Sequence, residues 1–204
     1  MKLLVATRSA GKAREIREIF AGLPFEIAFP ADRFLGHLPE EDDLEGSTGY
    51  VENAVAKARY FATRSGLATV ADDSGLEVDA LDSEPGPRSR RFSGVAGAGA
   101  DAANNALLLE KLAGVPEAKR GARYRCVVAF LPTPSAVAQM VEATCEGLIL
   151  TAPRGQGGFG YDPLFFSPEL KMSFGEAPAA AKHRVSHRGR AFRALIEVLL
   201  RRST

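Results

Sequence analysis

Excess charge of either sign is missing from this chain: 26 Lys and Arg stand against 25 Asp and Glu, a net charge of +1 over 204 residues. A nucleic-acid coat or membrane-surface protein needs a basic excess for attraction, so neither class fits, although a local basic pocket for a phosphorylated small molecule remains open. Cysteine is scarce too. Cys126 and Cys145 are the only two; they cannot build a zinc site alone, three histidines add little to one, and buried reduced thiols are the expectation. No apolar run approaches the roughly 20 residues of a membrane span. Met1–Ala6 is too short and too soon interrupted for a signal peptide, so a cytoplasmic protein is expected.

What is present is enough to bury one substantial core: 46% of the residues are hydrophobic and 25% charged. Lys2–Thr7 reads as a buried strand, Ala13–Leu23 as a helix, and Phe25–Phe29 as a second strand. Pro30–Ser47 is loop-like and acidic. From Thr48 to Arg64 the residues Val51, Ala54, Val55, Ala58, Phe61 and Ala62 form one helical stripe. Leu67–Ala71 reads as a strand ending in Asp72-Asp73-Ser74-Gly75, with Leu76–Leu81 extending beyond it. Pro85–Gly99 is a loop rich in Gly, Pro and Arg, and Ala102–Leu112 a helix. Tyr124–Leu131 and Ala136–Leu150 are two long strands joined by Pro132-Thr133-Pro134. Thr151–Tyr161 is a second Gly-rich loop and Ala191–Leu200 an amphipathic helix. No repeat and no linker divides the chain. The pattern is a mixed α/β fold with polar, Gly-rich loops at several strand ends.

Four clusters could hold chemistry. Thr7-Arg8-Ser9-Ala10-Gly11-Lys12 lies between the first strand and the first helix, where free N–H groups, a glycine and a lysine suit a phosphate. It is not a Walker A loop, because the first glycine is missing and Ala13 follows the lysine; a plain helix start is the alternative. Glu45 with Asn53 and Lys57 is the second. Lys57 sits about 100° from the centre of the apolar stripe, so its stem can lie on protein while its ammonium reaches a cleft; a solvated helix-edge lysine is the bland alternative. Third, the adjacent carboxylates Asp72 and Asp73 repel each other, so both face water in a turn or a hard cation such as Mg²⁺ neutralises them, with Glu45 a further oxygen ligand. One carboxylate could then hold metal while the other activates water.

The fourth cluster is Gly155-Gln156-Gly157-Gly158-Phe159-Gly160-Tyr161-Asp162-Pro163 with Lys182 and Ser186-His187-Arg188-Gly189. Glycines let backbone approach a ligand, and Phe159 offers a stacking face for a base or, alternatively, a core aromatic. Ser186 is a candidate N-cap that puts His187 and Arg188 in a first helical turn. Cations there oppose the helix dipole, a local conflict that points to an oxygen-rich or anionic ligand, with ordinary surface residues as the alternative.

Together these segments resemble the inosine triphosphate pyrophosphatase family. The matching stretches are Thr7-x-Ser9-x-x-Lys12, Glu45, Glu52-Asn53-Ala54-x-x-Lys57-Ala58, Ala71-Asp72-Asp73-Ser74-Gly75-Leu76, Pro85-Gly86-x-x-Ser89-x-Arg91, Gly157-Gly158-Phe159-Gly160-Tyr161-Asp162-Pro163, and Lys182 before Ser186-His187-Arg188-Gly189. They stand in family order over nearly the whole chain. The resemblance implies one domain over residues 1–204, built on a long curved mixed sheet flanked by helices with two lobes around a central cleft. It implies a homodimer and Mg²⁺-dependent attack by water on ITP, dITP or XTP that releases pyrophosphate. By the same resemblance Thr7, Arg8, Ser9, Ala10, Gly11 and Lys12 hold phosphates, with Lys57 supplying charge beside them. Glu45 and Asp73 bind metal with Asp72 in support, and Asp73 is the general base. Ser74 touches substrate, and Phe159, Gly160, Tyr161, Asp162, Lys182, His187 and Arg188 surround the nucleoside. Departures from the family pattern are Ser9 in place of Asn, Ala179-Ala180-Ala181 before Lys182, and Arg90 beside Arg91.

The rival readings are a Maf-like pyrophosphatase of pyrimidine or modified nucleotides, a non-catalytic nucleotide sensor, and an RNA-binding role for Arg88, Arg90 and Arg91. The S-H-R-G and G-G-F-G-Y-D segments favour the inosine-type enzyme over the first. The presence of Glu45, Lys57, Asp72 and Asp73 argues against the second, and three arginines in a Pro/Gly loop are usually a solvated face.

Overall fold

The computed structural model describes residues 1–46 and 49–202, the last by its backbone alone. The strands are β1 (Lys2–Val5), β2 (Glu26–Ala28), β3 (Ala68–Val78), β4 (Pro85–Gly86), β5 (Gly121–Leu131), β6 (Gln139–Ile149), β7 (Phe165–Ser167) and β8 (Met172–Ser173); the helices are α1 (Ala10–Phe20), α2 (Tyr50–Ser65), α3 (Ala100–Lys111), α4 (Ala179–Val185) and α5 (His187–Arg202). All strands join one open mixed sheet in the order β2-β1-β3-β5-β6-β7-β8, with β4 paired to β3. Parallel pairing joins β1 to β2 and β3, whereas β4, β7 and β8 pair antiparallel.

Two compact units divide the chain: Met1–Asp73 with Cys126–Ala143 and Ala191–Thr204, and Ser74–Arg125 with Thr144–Arg190. No connecting segment separates them in sequence, because the boundaries fall inside β3, β5, β6 and α5. The first unit has two apolar clusters. One gathers α1, the strand residues Leu3, Val5, Val70, Cys126 and Val128, and the α5 residues Phe192, Leu195 and Leu199. The other gathers the α2 residues Ala54, Ala58, Phe61 and Ala62 over Leu4, Ala71 and Leu131. In the second unit Leu108 and Leu112 pack with Leu76, Val78, Cys145, Phe165 and Phe174. Each cysteine is thus a buried free thiol, and burial pushes Cys145 up to about 11. Among the described residues no helix is long and apolar enough to cross a membrane.

Several sequence expectations shift. Helix α1 begins at Ala10 and ends at Phe20, three residues before the expected Ala13 and Leu23, so Ala10, Gly11 and Lys12 form its first turn. The strand expected to end at Ala71 runs on through Asp72-Asp73-Ser74-Gly75 as far as Val78. That segment is therefore strand and not turn, because its carboxylates find partners and Gly75 lets the backbone of Gly86 come close: a Cβ there would run into the Gly86 carbonyl and the Ser89 hydroxyl. The last helix begins at His187, four residues before the expected Ala191, with Ser186 Oγ accepting from Gly189 N at 3.1 Å as a cap should. Helix α4 and the short strands β4, β7 and β8 are additions. The expected helix start at Thr48 and loop end at Ser47 lie outside the described residues.

Candidate active site

In the first unit, β1 runs directly into α1, and Ser9 caps the helix: its Oγ accepts from Lys12 N at 3.4 Å and its carbonyl from Ala13 N at 2.9 Å. Thr7 Oγ1 in turn accepts from Ser9 N at 3.2 Å. The first-turn N–H groups of Ala10 and Gly11 thus crown a helix N-terminus, where partial positive charge gathers. Lys12 reaches the buried carboxylate of Asp72, Nζ to Oδ2 3.0 Å. On α2 the buried face is Tyr50, Asn53, Ala54, Lys57, Ala58, Phe61 and Ala62, so Asn53 and Lys57 lie within the core-facing stripe. Lys57 is 8% exposed, which removes the solvated-edge alternative. Its ammonium meets Glu45 Oε1 at 2.5 Å. Burial works to lower the Lys57 pKa, but Glu45, Asp72 and Asp73 outweigh it and the net direction is up. Asp73 accepts from Asn53 Nδ2 at 2.9 Å. Its burial outweighs Lys57, Lys12 and Asn53, so its carboxyl is held above the ordinary aspartate range.

The second unit holds the remaining expected residues. Gly157 to Asp162 forms a tight loop in which Asp162 Oδ2 accepts from Phe159 N at 2.8 Å and pairs with Lys182 Nζ at 2.5 Å. The Lys182 ammonium lies 5.1 Å from the centre of the Phe159 ring and the Arg188 guanidinium 5.6 Å, two cations in reach of one ring. Phe159 is half-buried and outside the apolar cluster, as a stacking platform requires and a core aromatic does not. Arg188 Nη2 donates to Ser74 Oγ at 2.8 Å, and His187 stacks on Tyr124 with ring centres 4.5 Å apart. Tyr161 is turned inward, its hydroxyl donating to the Ser89 carbonyl at 2.8 Å, so it braces the loop.

Residues 3–198 match the Ham1 family. The chain belongs to the Ham1 family. It is 47% identical over 190 residues to a dITP/XTP pyrophosphatase of Geobacter sulfurreducens, covering 93% of this chain and 92% of that one, and 43% identical to one from Desulforamulus reducens, covering 98% and 96%. Among solved structures, a HAM1 protein from Coxiella burnetii superposes with a TM-score of 0.85 at 32% identity, covering 98% and 99% of the two chains. A nucleoside-triphosphatase/dITP/XTP pyrophosphatase from Mycobacterium abscessus gives 0.70 at 41% identity, covering 96% and 98%.

For this Ham1-family chain the donor chemistry can be tested against a metal. Among the described residues no three His, Cys, Asp or Glu side chains converge as a metal-holding group. Glu45, Asp72 and Asp73 meet Lys57, Lys12 and Asn53 respectively. Mg²⁺ takes one or two carboxylates, several waters and substrate phosphates, so this all-oxygen set fits a cation completed by substrate and not an all-protein cage. Asn53, named in the second cluster though given no role there, shapes the site, and three further residues do so without having been among the expected ones. Asn53 was visible in the Glu52-Asn53-Ala54 stretch. Asp101 and Asn105, one turn apart on α3, grip Gly160 by its N–H (2.7 Å) and its carbonyl (3.0 Å). Glu41 fastens Arg8. The i, i+4 spacing of Asp101 and Asn105 and the acid-rich run around Glu41 were the only sequence signals for these three.

Proposed function

We propose that this chain is a Mg²⁺-dependent nucleoside-triphosphate pyrophosphatase that cleaves non-canonical purine nucleotides, ITP, dITP and XTP, to monophosphate and pyrophosphate, clearing them from the nucleotide pool. It works in the cytoplasm as a homodimer of one domain each, on a small-molecule substrate and not on nucleic acid or membrane. The observation that supports the reaction is the buried pair Asp72–Asp73 beside Lys12 and Lys57: acid, base and cations gathered in a place where charge is strong because water is scarce.

The Thr7–Lys12 turn offers N–H groups and the Lys12 ammonium to phosphate oxygens, and Lys57 adds charge beside them. Mg²⁺, held by Glu45 and Asp73 with Asp72 in support, would neutralise phosphate charge and steady the departing pyrophosphate. Asp73, its pKa raised by burial, is fit to accept the proton of a water that attacks the α-phosphorus. The α–β phosphoanhydride bond breaks and pyrophosphate leaves. Ser74 contacts substrate. Phe159 stacks the base, with Gly160, Asp162, Lys182, His187 and Arg188 around it, while Tyr161 supports the loop from within. Inosine and xanthine carry an acceptor oxygen at C6 where adenine carries an amino donor, so donors from His187 or Arg188 pair with the former and meet adenine donor to donor. Such a site discriminates by about 10⁴ or more.

Product analysis from ITP, XTP, ATP, GTP, dTTP and UTP with Mg²⁺, alongside Asp73→Asn, tests the reading. Rapid IMP and pyrophosphate release that the variant abolishes is the expected result. Release of single phosphate, equal turnover of ATP, or a preference for dTTP or UTP would each defeat it.

A further inference from the structure

Arg8 lies in the turn expected to hold phosphate, yet its guanidinium faces protein. Its Nε meets Glu41 Oε2 at 2.5 Å, its Nη2 meets Glu41 Oε1 at 2.7 Å, and Nη2 also donates to the carbonyls of Leu35 (2.9 Å) and Gly36 (3.0 Å). The Glu41 side chain is 6% exposed and draws more donors: Arg64 Nη1 at 2.7 Å, and Tyr60 Oη and Leu38 N at 3.4 Å each. Burial opposes the Glu41 charge, but these donors outweigh it and its pKa falls. A planar fork on a carboxylate fixes orientation as well as distance, which a lysine in the same place would not do.

The three pieces of chain that meet at this carboxylate are the same three that bear the first unit's candidate groups. The turn after β1 has Thr7, Ser9 and Lys12. The segment of Glu41 itself continues through tight turns, Leu44 N to Glu41 O at 3.3 Å and Gly46 N to Asp43 O at 3.0 Å, to Glu45. Helix α2 has Asn53 and Lys57 in addition to Tyr60 and Arg64. The segment holding Glu45 belongs to no strand, and of its apolar side chains Leu35 and Leu44 pack against the core only in part. Glu45 itself is met by Lys57 Nζ at 2.5 Å, and the polar contacts of Glu41 hold the chain from which it reaches.

We propose that Glu41, acting through Arg8 and Arg64, is a positioning residue that sets Glu45 for the divalent cation and the Thr7–Lys12 turn for the triphosphate. This rests on the assignment of Glu45 and that turn under the proposed function.

The test is Mn²⁺ binding by electron paramagnetic resonance in the presence of a non-hydrolysable α,β-methylene ITP analogue, whose phosphates complete the coordination, and KM for ITP at saturating metal, in wild type, Glu41→Gln, Arg8→Lys and Glu45→Gln. Loss of a group bonded directly to a metal ligand weakens affinity by about 10–100-fold, and Glu41 stands behind the segment of its ligand, so the low end of that range is expected. Glu41→Gln should therefore bind Mn²⁺ about tenfold more weakly and raise KM, with Arg8→Lys between it and wild type. A Glu41→Gln protein that melts lower but keeps wild-type Mn²⁺ affinity and KM would show a merely structural network and overturn the proposal. If Glu41→Gln does not fold, Arg8→Lys gives the same two readouts, and wild-type values there overturn it equally. If Glu45→Gln binds Mn²⁺ as wild type does, the metal assignment of Glu45 is what has failed. The positioning role is then decided by KM alone, an unchanged value rejecting it.

Discussion

Asp73 stands where its charge is costly. Burial lifts its folded pKa above that of an unfolded aspartate, even with Lys57, Lys12 and Asn53 in favour of the charged form. For an acid with a raised pKa the charged state penalises folding in full above the folded pKa; the penalty shrinks as pH falls below that value and is gone below the unfolded pKa. Replacing Asp73 by Asn removes the charge and keeps the shape. The Asp73→Asn protein should therefore melt higher than wild type at pH 7, while losing turnover. The gain should vanish below about pH 4, where wild-type Asp73 is neutral too. Melting curves at pH 7 and pH 4 check this; a lower melting point at pH 7 would mean that the cations already compensate the charge in full. Glu41 has the opposite sign. Its pKa is depressed, so its contribution is present above the unfolded value and is lost on acidification through the folded one. The stability gap between wild type and Glu41→Gln should accordingly close as the medium is made strongly acid.

Strand β3 holds the clearest lesson about elements. Its apolar start was legible as a strand, but the two aspartates, serine and glycine left two readings, a solvated turn or a pair neutralised by a cation, because unpaired carboxylates do not stay in a sheet. The partner that reverses the reading, Lys12 on Asp72, lies about sixty residues away in sequence and has no local signature. The same holds for α2. Its apolar period located the helix, yet Asn53 and Lys57 face inward because Asp73 and Glu45 await them. The family motifs, read in order, identified nearly every group gathered in each unit; the grip of Asp101 and Asn105 on Gly160 is contact between distant segments and left only a one-turn spacing to see. Gly75 provides a test at this scale. A Cβ at that position would collide with the Gly86 carbonyl and the Ser89 hydroxyl, prising β4 from β3. Overpacking of this kind costs about 1–3 kcal/mol. Gly75→Ala should lose that much in urea unfolding and also weaken ITP binding through its neighbour Ser74. An unchanged midpoint would show that β4 yields without cost.

At the level of the whole chain, the two units raise the question of whether they are independent folding bodies. Each is assembled from separated pieces of sequence, three for one and two for the other, and the chain passes between them at 73/74, 125/126, 143/144 and 190/191. All four points lie within β3, β5, β6 or α5, so melting one unit would have to cut three strands and a helix in mid-element. A hydrogen-bonded ladder does not stop at a cut without leaving backbone groups unpaired. One cooperative transition is therefore expected in scanning calorimetry, with calorimetric and van't Hoff enthalpies equal and an enthalpy near 60 °C of about 140 kcal/mol, from roughly 0.7 kcal/mol per residue. If the protein is the homodimer proposed, the midpoint should also rise with protein concentration, because dissociation is then linked to unfolding. Two resolved peaks would show that the units melt separately and that residues 1–204 are two domains. A single peak at a concentration-independent midpoint would keep the one domain and count against a dimer whose dissociation is coupled to unfolding.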